Sequence, residues 1–459
     1  MAIENEEKQK KWWILIGTGI AAILVAIDCT IVNTVLATLA HDLNTTFNQL
    51  QWVIIGFGIP FSALLVTMGR LGDLKGRRKI LYLGIIGFGL ASLGAGFSTV
   101  PWWLIVMRAL QGICGAAILP CGMAIISAVF PRQQRGRALG VYGSIAGIGL
   151  ALGPVLGSLI VSFLNWRWIF FINIPIIIIS LIICTCTIHE SRLPQSIRVD
   201  KLGTLLVIIL LGSLVFAISQ GEYWGWHSPT IMTSFVVFLC ATFAFYRVEK
   251  RSPMPLVPLN LLLNRGFLLG LVVYMAAVSL SWPILFIMPL YLNQVLGLSI
   301  GQSGWMLGCM TVMTVVAPVI AGFWYDQRSQ RFTIHLLFVL SATSLFLLSL
   351  LDGHGPLGLV VIAFVLFGCA WGIGNGIATP LSLSQLQGTE NTGLISGALI
   401  TLMNVFAVIM LALDMALFRY GEQWHGHPSF MTGLHFASYA LLIVSIMFWI
   451  IASIMTRHK

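Results

Sequence analysis

Three charged side chains lie inside stretches of sequence that are otherwise almost wholly apolar: Asp28, Arg108 and Asp414. A charge in such surroundings costs free energy, so each is a candidate for function. Two roles are open for Asp28. Its carboxylate binds a proton when the surroundings disfavour the anion, or it forms a structural ion pair with Arg108 that locks helix packing. We treat all three residues as candidates for proton coupling. For Asp414, which lies close to Arg419, pairing with that arginine at the membrane interface is equally open.

Polar residues share one face of the stretch that contains Arg108. Arg108, Gln111, Gly112 and Gly115 follow the i, i+3, i+4, i+7 spacing of a helix face. A charge, an amide and two glycines suit the polar wall of a cavity beside a close helix contact. Methionine and tryptophan suit an adaptable apolar pocket. The candidate substrate contacts are therefore Asn33, Gln111, Met123, Trp282, Met288 and Asn404, and for each of them a lipid-facing or core role is equally open.

Glycines recur at every fourth position from Gly149 through Gly153 to Gly157, with Pro154 among them. One side of this helix has no side chains, so a neighbouring helix can approach closely. Proline bends or loosens the helix. The spacing predicts a hinge or seal made by these four residues, with ordinary small-residue packing as the alternative.

A charged loop follows the second apolar stretch and reads GRLGDLKGRR over residues 69–78. Asp73 at a helix end can cap another helix or pair with Arg77 four residues later. Such contacts can hold one state of a conformational cycle and break in the other. The order of small residue, acid, glycine and paired arginines predicts a gating role for Gly69, Asp73, Gly76, Arg77 and Arg78. The spacing from Gly69 to Asp73 recurs from Gly322 to Asp326, so Asp326 is a candidate for the same role.

Membrane-spanning helices are the elements that position these residues. The chain of 459 residues is 58% hydrophobic and 9% charged, against roughly 25% charged in soluble domains. A bilayer needs about 20 apolar residues per helix, and lipid offers no partner to free backbone amides. The sequence predicts an all-α membrane protein with fourteen spans, at residues 13–36, 51–70, 80–98, 102–125, 138–162, 168–187, 202–219, 229–247, 268–291, 303–324, 334–351, 357–380, 392–418 and 434–455.

Basic residues set the orientation of these spans. Lysine and arginine collect at both ends of the chain and in alternate gaps, except the gap between spans 12 and 13, whereas the opposite gaps hold only Arg167 and Arg419. This asymmetry predicts that both termini are cytoplasmic. Span 1 then runs outward and span 4 inward, which places Asp28 roughly 12 Å and Arg108 roughly 9 Å below the outer surface. Similar depth and opposite charge predict that the two pair directly or face one aqueous cavity.

The repeated loop motif indicates an internal duplication. It places spans 1–6 over spans 9–14 and leaves spans 7 and 8 as an insert. A 6+2+6 layout with parallel halves is typical of a rocking transporter with a cavity at the membrane midplane. The predicted organisation is a cytoplasmic tail (1–12), a six-helix bundle (13–187), a linker with two inserted helices (188–267) and a second six-helix bundle (268–459). The stretch 189–201 is predicted to be the flexible linker.

Taken together, these motifs resemble those of the major facilitator superfamily, and within it the drug:proton antiporters with fourteen spans. Residues 69–78 are similar to the superfamily's loop 2–3 signature and residues 108–117 to its span 4 signature. Residues 140–157 are similar to the span 5 antiporter signature. Residues 24–33 and 166–175 resemble the fourteen-span branch. Ser158 and Tyr325 depart from the patterns, and the resemblance is thin over 268–455.

The resemblance implies the major facilitator fold and a proton-coupled antiporter that exports lipophilic or cationic drug-like compounds by alternating access. In the family, the span 4 arginine takes part in proton handling. The main alternative is a proton-coupled exporter or uptake symporter of a specific metabolite, peptide or siderophore, because fold does not fix substrate or direction. The implied location is the cell membrane.

Several other classes are disfavoured. No nucleophile, metal-ligand set or acid–base cluster points to an enzyme, and the eight cysteines have no ligand-like spacing. No Gly-x4-Gly-Lys-Ser/Thr loop is present. The basic charge follows topology, which argues against a nucleic-acid partner. We expect no cofactor besides the coupling proton, with a small-molecule substrate and the lipid bilayer as partners, and the sequence leaves any adaptor protein open.

Overall fold

The computed structural model describes residues 2–190, 200–252, 263–278, 280–327, 330–353, 356–383, 392–423 and 429–457. Its elements are helical throughout these ranges. They are α1 (Ala2–Ile31), a 3₁₀ turn (Val32–Val35), α2 (Leu36–Asp42), α3 (Phe47–Lys75), α4 (Arg77–Gly96), α5 (Pro101–Val129), α6 (Arg132–Phe163), α7 (Trp168–Phe171), α8 (Asn173–Thr187), α9 (Lys201–Trp224), α10 (Pro229–Arg251), α11 (Arg265–Val278), α12 (Ser281–Leu290), a π-helical turn (Tyr291–Val295), α13 (Ile300–Gln327), α14 (Gln330–Ser349), α15 (Leu357–Leu383), α16 (Thr392–Gln423) and α17 (Phe430–Arg457).

The prediction of fourteen spans is confirmed for the described part of the chain. Fourteen of its helical segments are long and apolar enough to cross a membrane. They are Lys10–Val35, Gln49–Lys75, Arg77–Gly96, Pro101–Val129, Val141–Phe163, Trp168–Thr187, Lys201–Gly221, Pro229–Arg251, Arg265–Val295, Ile300–Gly322, Gln330–Ser349, Leu357–Ser382, Leu399–Gln423 and Phe430–Thr456, numbered spans 1 to 14.

Local sequence signals mark where several helices begin. Thr46 caps α3 in a reciprocal pair with Gln49, which satisfies backbone amides that have no partner in the first turn. Proline occupies the first turn of α5 and of α10, where its missing amide hydrogen costs nothing. Large apolar side chains such as Leu90, Ile182 and Leu239 are more than half exposed in the protein alone, as expected for surfaces that contact lipid.

Three spans are not continuous α-helices. Span 1 tightens into the 3₁₀ turn Val32–Val35, four residues beyond Asp28. In span 6 the backbone stays right-handed helical through Ile172, between α7 and α8, and the hydrogen-bond ladder is broken because Pro175 has no amide hydrogen. Span 9 is divided between α11 and α12 before its π-helical turn. Irregular backbone at membrane depth is tolerated where protein or a water-filled cavity surrounds it, and such turns concentrate at functional sites.

The chain forms two compact units, Met1–Thr204 and Leu205–Lys459. In the first unit, α1 packs against α6 and α8, and α5 packs against α3 and α4. In the second unit, α15 packs against α11, α13 and α14, while α17 packs against α14 and α16. The 6+2+6 grouping with its linker stays a prediction, and most of the expected flexible stretch, residues 191–199, lies outside the described residues.

Candidate functional site

Asp28 and Arg108 form an ion pair in the interior of the first unit. Asp28 lies on α1 and Arg108 on α5, and their residues are 0% and 1% exposed. Arg108 Nη1 donates directly to Asp28 Oδ2. Of the two arrangements that the sequence left open, direct pairing is the one formed.

Three neutral polar residues complete a buried network around this pair. Gln111 Oε1 accepts from Arg108 Nη1 at 2.9 Å, and Gln111 Nε2 donates to Asp28 Oδ1 at 3.1 Å. Ser92 Oγ, from α4, accepts from Gln111 Nε2 at 2.9 Å and from Asn173 Nδ2, on α8, at 3.1 Å. Asn173 Nδ2 also lies 3.3 Å from Asp28 Oδ1. All three neutral residues are fully buried, so four helices meet at one charged site.

Arg108 has partners that do not depend on Asp28. Its Nε donates to the Val53 carbonyl at 3.1 Å, and its guanidinium carbon lies 4.5 Å from the centre of the Phe57 ring. Including Gln111, the arginine keeps two hydrogen bonds and a cation–π contact if the carboxylate becomes neutral. A buried ion pair is tolerated only when such additional bonds satisfy its remaining groups.

Sequence reasoning assigned no role to Ser92 or Asn173. Both are polar residues in apolar spans, which is a signal for contacts between helices. Asn173 also follows the aromatic run Trp166–Phe171 and precedes Pro175. Gln111 was predicted to contact substrate. The structure shows its amide bonded within this network, and a contact with substrate stays a prediction.

The glycine face of α6 lies directly against α1. A Cβ atom added at Gly149, Gly153 or Gly157 would come within about 3 Å of a backbone carbonyl of α1, those of Ile23, Ile27 and Ile31. Side chains are therefore excluded along this contact, and the helix that carries Asp28 is fixed in register against span 5. Whether the contact acts as hinge or seal stays a prediction.

Pro154 supplies a further contact between these two helices. A proline has no amide hydrogen, so the carbonyl four residues earlier, that of Leu150, loses its helical partner. Thr30 Oγ1 on α1 donates to this carbonyl at 3.1 Å. Thr30 lies two residues after Asp28, so the glycine–proline segment of α6 connects directly to the helix of the charged site.

The loop between spans 2 and 3 is an ordered turn. Asp73 Oδ1 accepts from Arg77 Nε at 2.6 Å, and Arg77 Nη1 donates to the Ala124 carbonyl at 3.2 Å. Gly76 has φ of 114°, a conformation that favours glycine. A Cβ atom there would lie 2.6 Å from the carboxyl carbon of Glu190. Gly69 packs against Pro120 on span 4.

Glu190 was not predicted from the sequence as part of this turn. Its two carboxylate oxygens accept from the backbone amides of Arg78 and Lys79, each at 3.2 Å. An acid at the N-terminus of α4 satisfies amides that have no helical partner and complements the helix dipole. The segment after span 6 is thereby attached to the loop 2–3 turn. Asp326, the second copy of the motif, lies near the end of α13, and its side chain lies outside the described part.

Asp414 lies in the interior of the second unit and is 1% exposed. Within the described residues, neither of its carboxylate oxygens has a hydrogen-bond partner. Arg419 donates instead to the Ser219 carbonyl at 2.9 Å, so the pairing with Arg419 that the sequence left open is not formed. Asp414 therefore differs from Asp28, whose buried carboxylate is paired with an arginine.

The other predicted substrate contacts are divided between the two units. Asn33 and Asn404 are buried, and each amide donates to the carbonyl four residues earlier in its own helix. Met288 is 1% exposed, Trp282 is partly buried, and Met123 packs against the cluster that includes Phe130 and Tyr142. Their role in binding substrate stays a prediction.

Comparison with known proteins places this arrangement in a family. Residues 18–411 match the Major Facilitator Superfamily. The chain belongs to this superfamily. It is a membrane transporter and not an enzyme. A bacterial homologue of the human lysosomal transporter Spinster, solved in an inward-facing and unoccupied conformation, has the same fold: the TM-score is 0.67 at 14% identity, over 97% of this chain and 96% of that chain.

The curated relatives include drug-resistance transporters. The multidrug transporter protein MdtP of Bacillus subtilis is 30% identical over 84% of this chain and 71% of its own length. The puromycin resistance protein pur8 of Streptomyces alboniger is 37% identical over 56% of this chain, and the match spans only 51% of that protein. The riboflavin transporter RibZ of Clostridioides difficile is 26% identical over 92% of both chains.

Proposed function

We propose that this transporter exports lipophilic or cationic drug-like compounds in exchange for protons. The observation that carries the proposal is the Asp28–Arg108 network: a titratable carboxyl, fully buried in a membrane span, beside a cation that has other partners. The drug-resistance relatives support the substrate class. Protons are the coupling ion, and no cofactor takes part.

The network suits a cycle in which Asp28 changes charge. A proton entering from outside neutralises Asp28 and removes its attraction to Arg108, while Val53, Gln111 and Phe57 still hold the guanidinium. The two charge states therefore favour different packing of α1 against α5, which is the kind of differential contact that a conformational switch requires. Proton release inside and substrate binding then favour the return.

Asp414 is proposed as the second acid of the cycle. A buried carboxylate without a partner is costly, so binding a proton or the positive charge of a substrate stabilises this site.

The gating residues of loop 2–3 and span 5 are proposed to hold one state of the cycle through the Asp73–Arg77 pair and the α1–α6 contact.

A second candidate is a proton-coupled transporter, exporter or uptake symporter, of one specific metabolite. The observation that favours it is the match to a riboflavin transporter along 92% of both chains. The buried ion pair serves either direction of coupling, so it does not separate this candidate from drug export.

Fluorescence of a pH-sensitive dye in energised inverted vesicles tests the proposal. Vesicles containing the wild type, and matched vesicles without it, receive lipophilic cations, neutral drugs and riboflavin one at a time. We expect several unrelated compounds to release protons only from vesicles with the protein. Release by a single metabolite supports the second candidate, and no proton movement with any compound contradicts drug:proton exchange.

A further inference from the structure

An amide on span 6 lies against the charged site. Asn173 is the first residue of α8 and follows Ile172, whose backbone is right-handed helical. Its Nδ2 contacts both Asp28 Oδ1 and Ser92 Oγ, at 3.3 and 3.1 Å. Its Oδ1 is buried and has no hydrogen-bond partner in the described part of the chain. A buried acceptor in that state costs free energy, which suggests that it is used in another state.

The two protonation states of Asp28 need different partners. A carboxylate only accepts hydrogen bonds, whereas a carboxylic acid also donates one through its new O–H group. Arg108 and Gln111 Nε2 are donors and serve the anion. The acid form requires an acceptor within reach, and an amide carries a donor and an acceptor on one planar group.

We propose that Asn173 is the positioning residue for Asp28 in both states. Its Nδ2 donates to the carboxylate. When a proton from outside binds Asp28, a turn about the terminal torsion of Asn173 presents Oδ1 to accept the new O–H group. Ser92 Oγ accepts from Asn173 Nδ2 and from Gln111 Nε2 while Asp28 is charged, and after the turn its hydroxyl can donate to Oδ1 instead. The inference rests on the proposed function in one respect, namely that Asp28 gains and loses a proton during the cycle.

The surroundings of Asp28 contain few other groups that can take the proton. Arg108 on α5 supplies the positive charge, and Cys29 on α1 is the neighbouring thiol. The facing helices α4 and α8 contribute Ser92 and Asn173, neither of which titrates, and α6 presents its glycine face to α1. Gln111 Oε1 already accepts from Arg108 Nη1, whereas Asn173 Oδ1 has no partner among the described residues, so the new hydrogen bond forms between the Asp28 carboxyl and the Asn173 amide.

Infrared difference spectroscopy of the purified full-length protein, titrated with acid and base, tests the inference without any substrate. The carboxylic C=O band that appears in the wild type and is missing in Asp28→Asn reports the protonated acid. In Asn173→Leu, which keeps the branching of the side chain without hydrogen-bonding groups, we expect this band at higher frequency, because the acid loses the acceptor of its O–H group.

A matched control separates this effect from loosened packing. Ser180 lies on the same helix α8, is fully buried and donates to the Gly17 carbonyl of α1 at 2.9 Å, away from Asp28. Ser180→Ala is expected to leave the band unchanged. Ser92→Ala, which frees the Asn173 amide, is expected to shift the band in the same direction by a smaller amount, and it stands in if Asn173→Leu does not fold.

The possible results separate the inference from the proposed function. An Asp28 band that is identical in Asn173→Leu, or in Ser92→Ala when the leucine variant does not fold, overturns the inference while exchange can still be seen with the dye. A shifted band in a protein that exchanges no proton for any compound supports the inference and contradicts drug:proton exchange. If no band depends on Asp28, the carboxyl takes no proton and both ideas fail.

Discussion

At the scale of single residues, the central feature is the pairing of the Asp28 carboxylate with the Arg108 guanidinium. Arg108 neutralises a carboxylate that has no access to water in the described structure, being 0% exposed. Removing one partner of a buried pair costs about 3–5 kcal/mol because the other charge stays behind, whereas replacing both partners costs far less. Breaking the pair is therefore costly as long as the other charge stays buried, and the charge of a single carboxyl decides whether the pair is intact.

We predict that Arg108→Leu unfolds at a clearly lower temperature than the double variant Asp28→Asn/Arg108→Leu. The single variant leaves the carboxylate buried without its counter-charge, and the double variant leaves no charge. Thermal unfolding of the detergent-purified proteins measures the difference. Equal unfolding temperatures for the two variants would show that the pair does not hold opposite charges in the folded protein.

At the scale of helices, the central feature is the close contact of α6 with α1, the helix on which Asp28 lies. Three backbone carbonyls of α1 lie against glycines of α6, and Thr30 reaches the Leu150 carbonyl that Pro154 leaves without a partner. Proline in a helix usually weakens it. Here the missing bond is replaced by one from the helix that carries Asp28, so the two helices are joined at the level of the site.

Thr30→Val tests this connection, because valine keeps the shape and removes the hydroxyl. We expect a loss of about 1–3 kcal/mol of stability, the cost of leaving the Leu150 carbonyl buried without a partner, together with slower proton exchange. Thr18→Val is the matched control, since the buried Thr18 hydroxyl donates only to Ile14 and Leu15 of its own helix among the described residues. Thermal unfolding and the dye assay compare the two. Equal behaviour of both variants would contradict a joining role for Thr30.

Hydropathy predicted the fourteen spans because a bilayer imposes length and composition on each helix separately. Depth and sign alone predicted that Asp28 and Arg108 pair directly or face one cavity, and the structure shows the direct pair. Ser92 and Asn173 could not be placed that way, because their contacts depend on how α4 and α8 rotate against α1. The attachment of Glu190 to α4 is likewise a tertiary feature, which no local spacing in the sequence records.

At the scale of the whole molecule, we predict how the chain is oriented in the membrane. Basic residues collect at both ends of the chain and in alternate loops, except the loop between spans 12 and 13, which predicts that both termini are cytoplasmic. We expect a cytoplasmic reporter, such as a fluorescent protein, to be active when fused to either terminus. A reporter that works only after export, such as alkaline phosphatase, is expected to be active when fused after Trp226, between spans 7 and 8. Activity of the exported reporter at either terminus would show that this terminus lies outside the cell. It would contradict the predicted topology and, with it, the proposed direction of transport.

Proton exchange through Asp28 is the central claim, and one comparison tests it most directly. Energised inverted vesicles with a pH-sensitive dye, containing the wild type, Asp28→Asn or Ser180→Ala in equal amounts, receive each compound that releases protons from the wild type. We predict release from wild type and Ser180→Ala, and none from Asp28→Asn, because an amide cannot carry the proton across. Equal proton release from wild type and Asp28→Asn would contradict the account and assign the coupling to another acid.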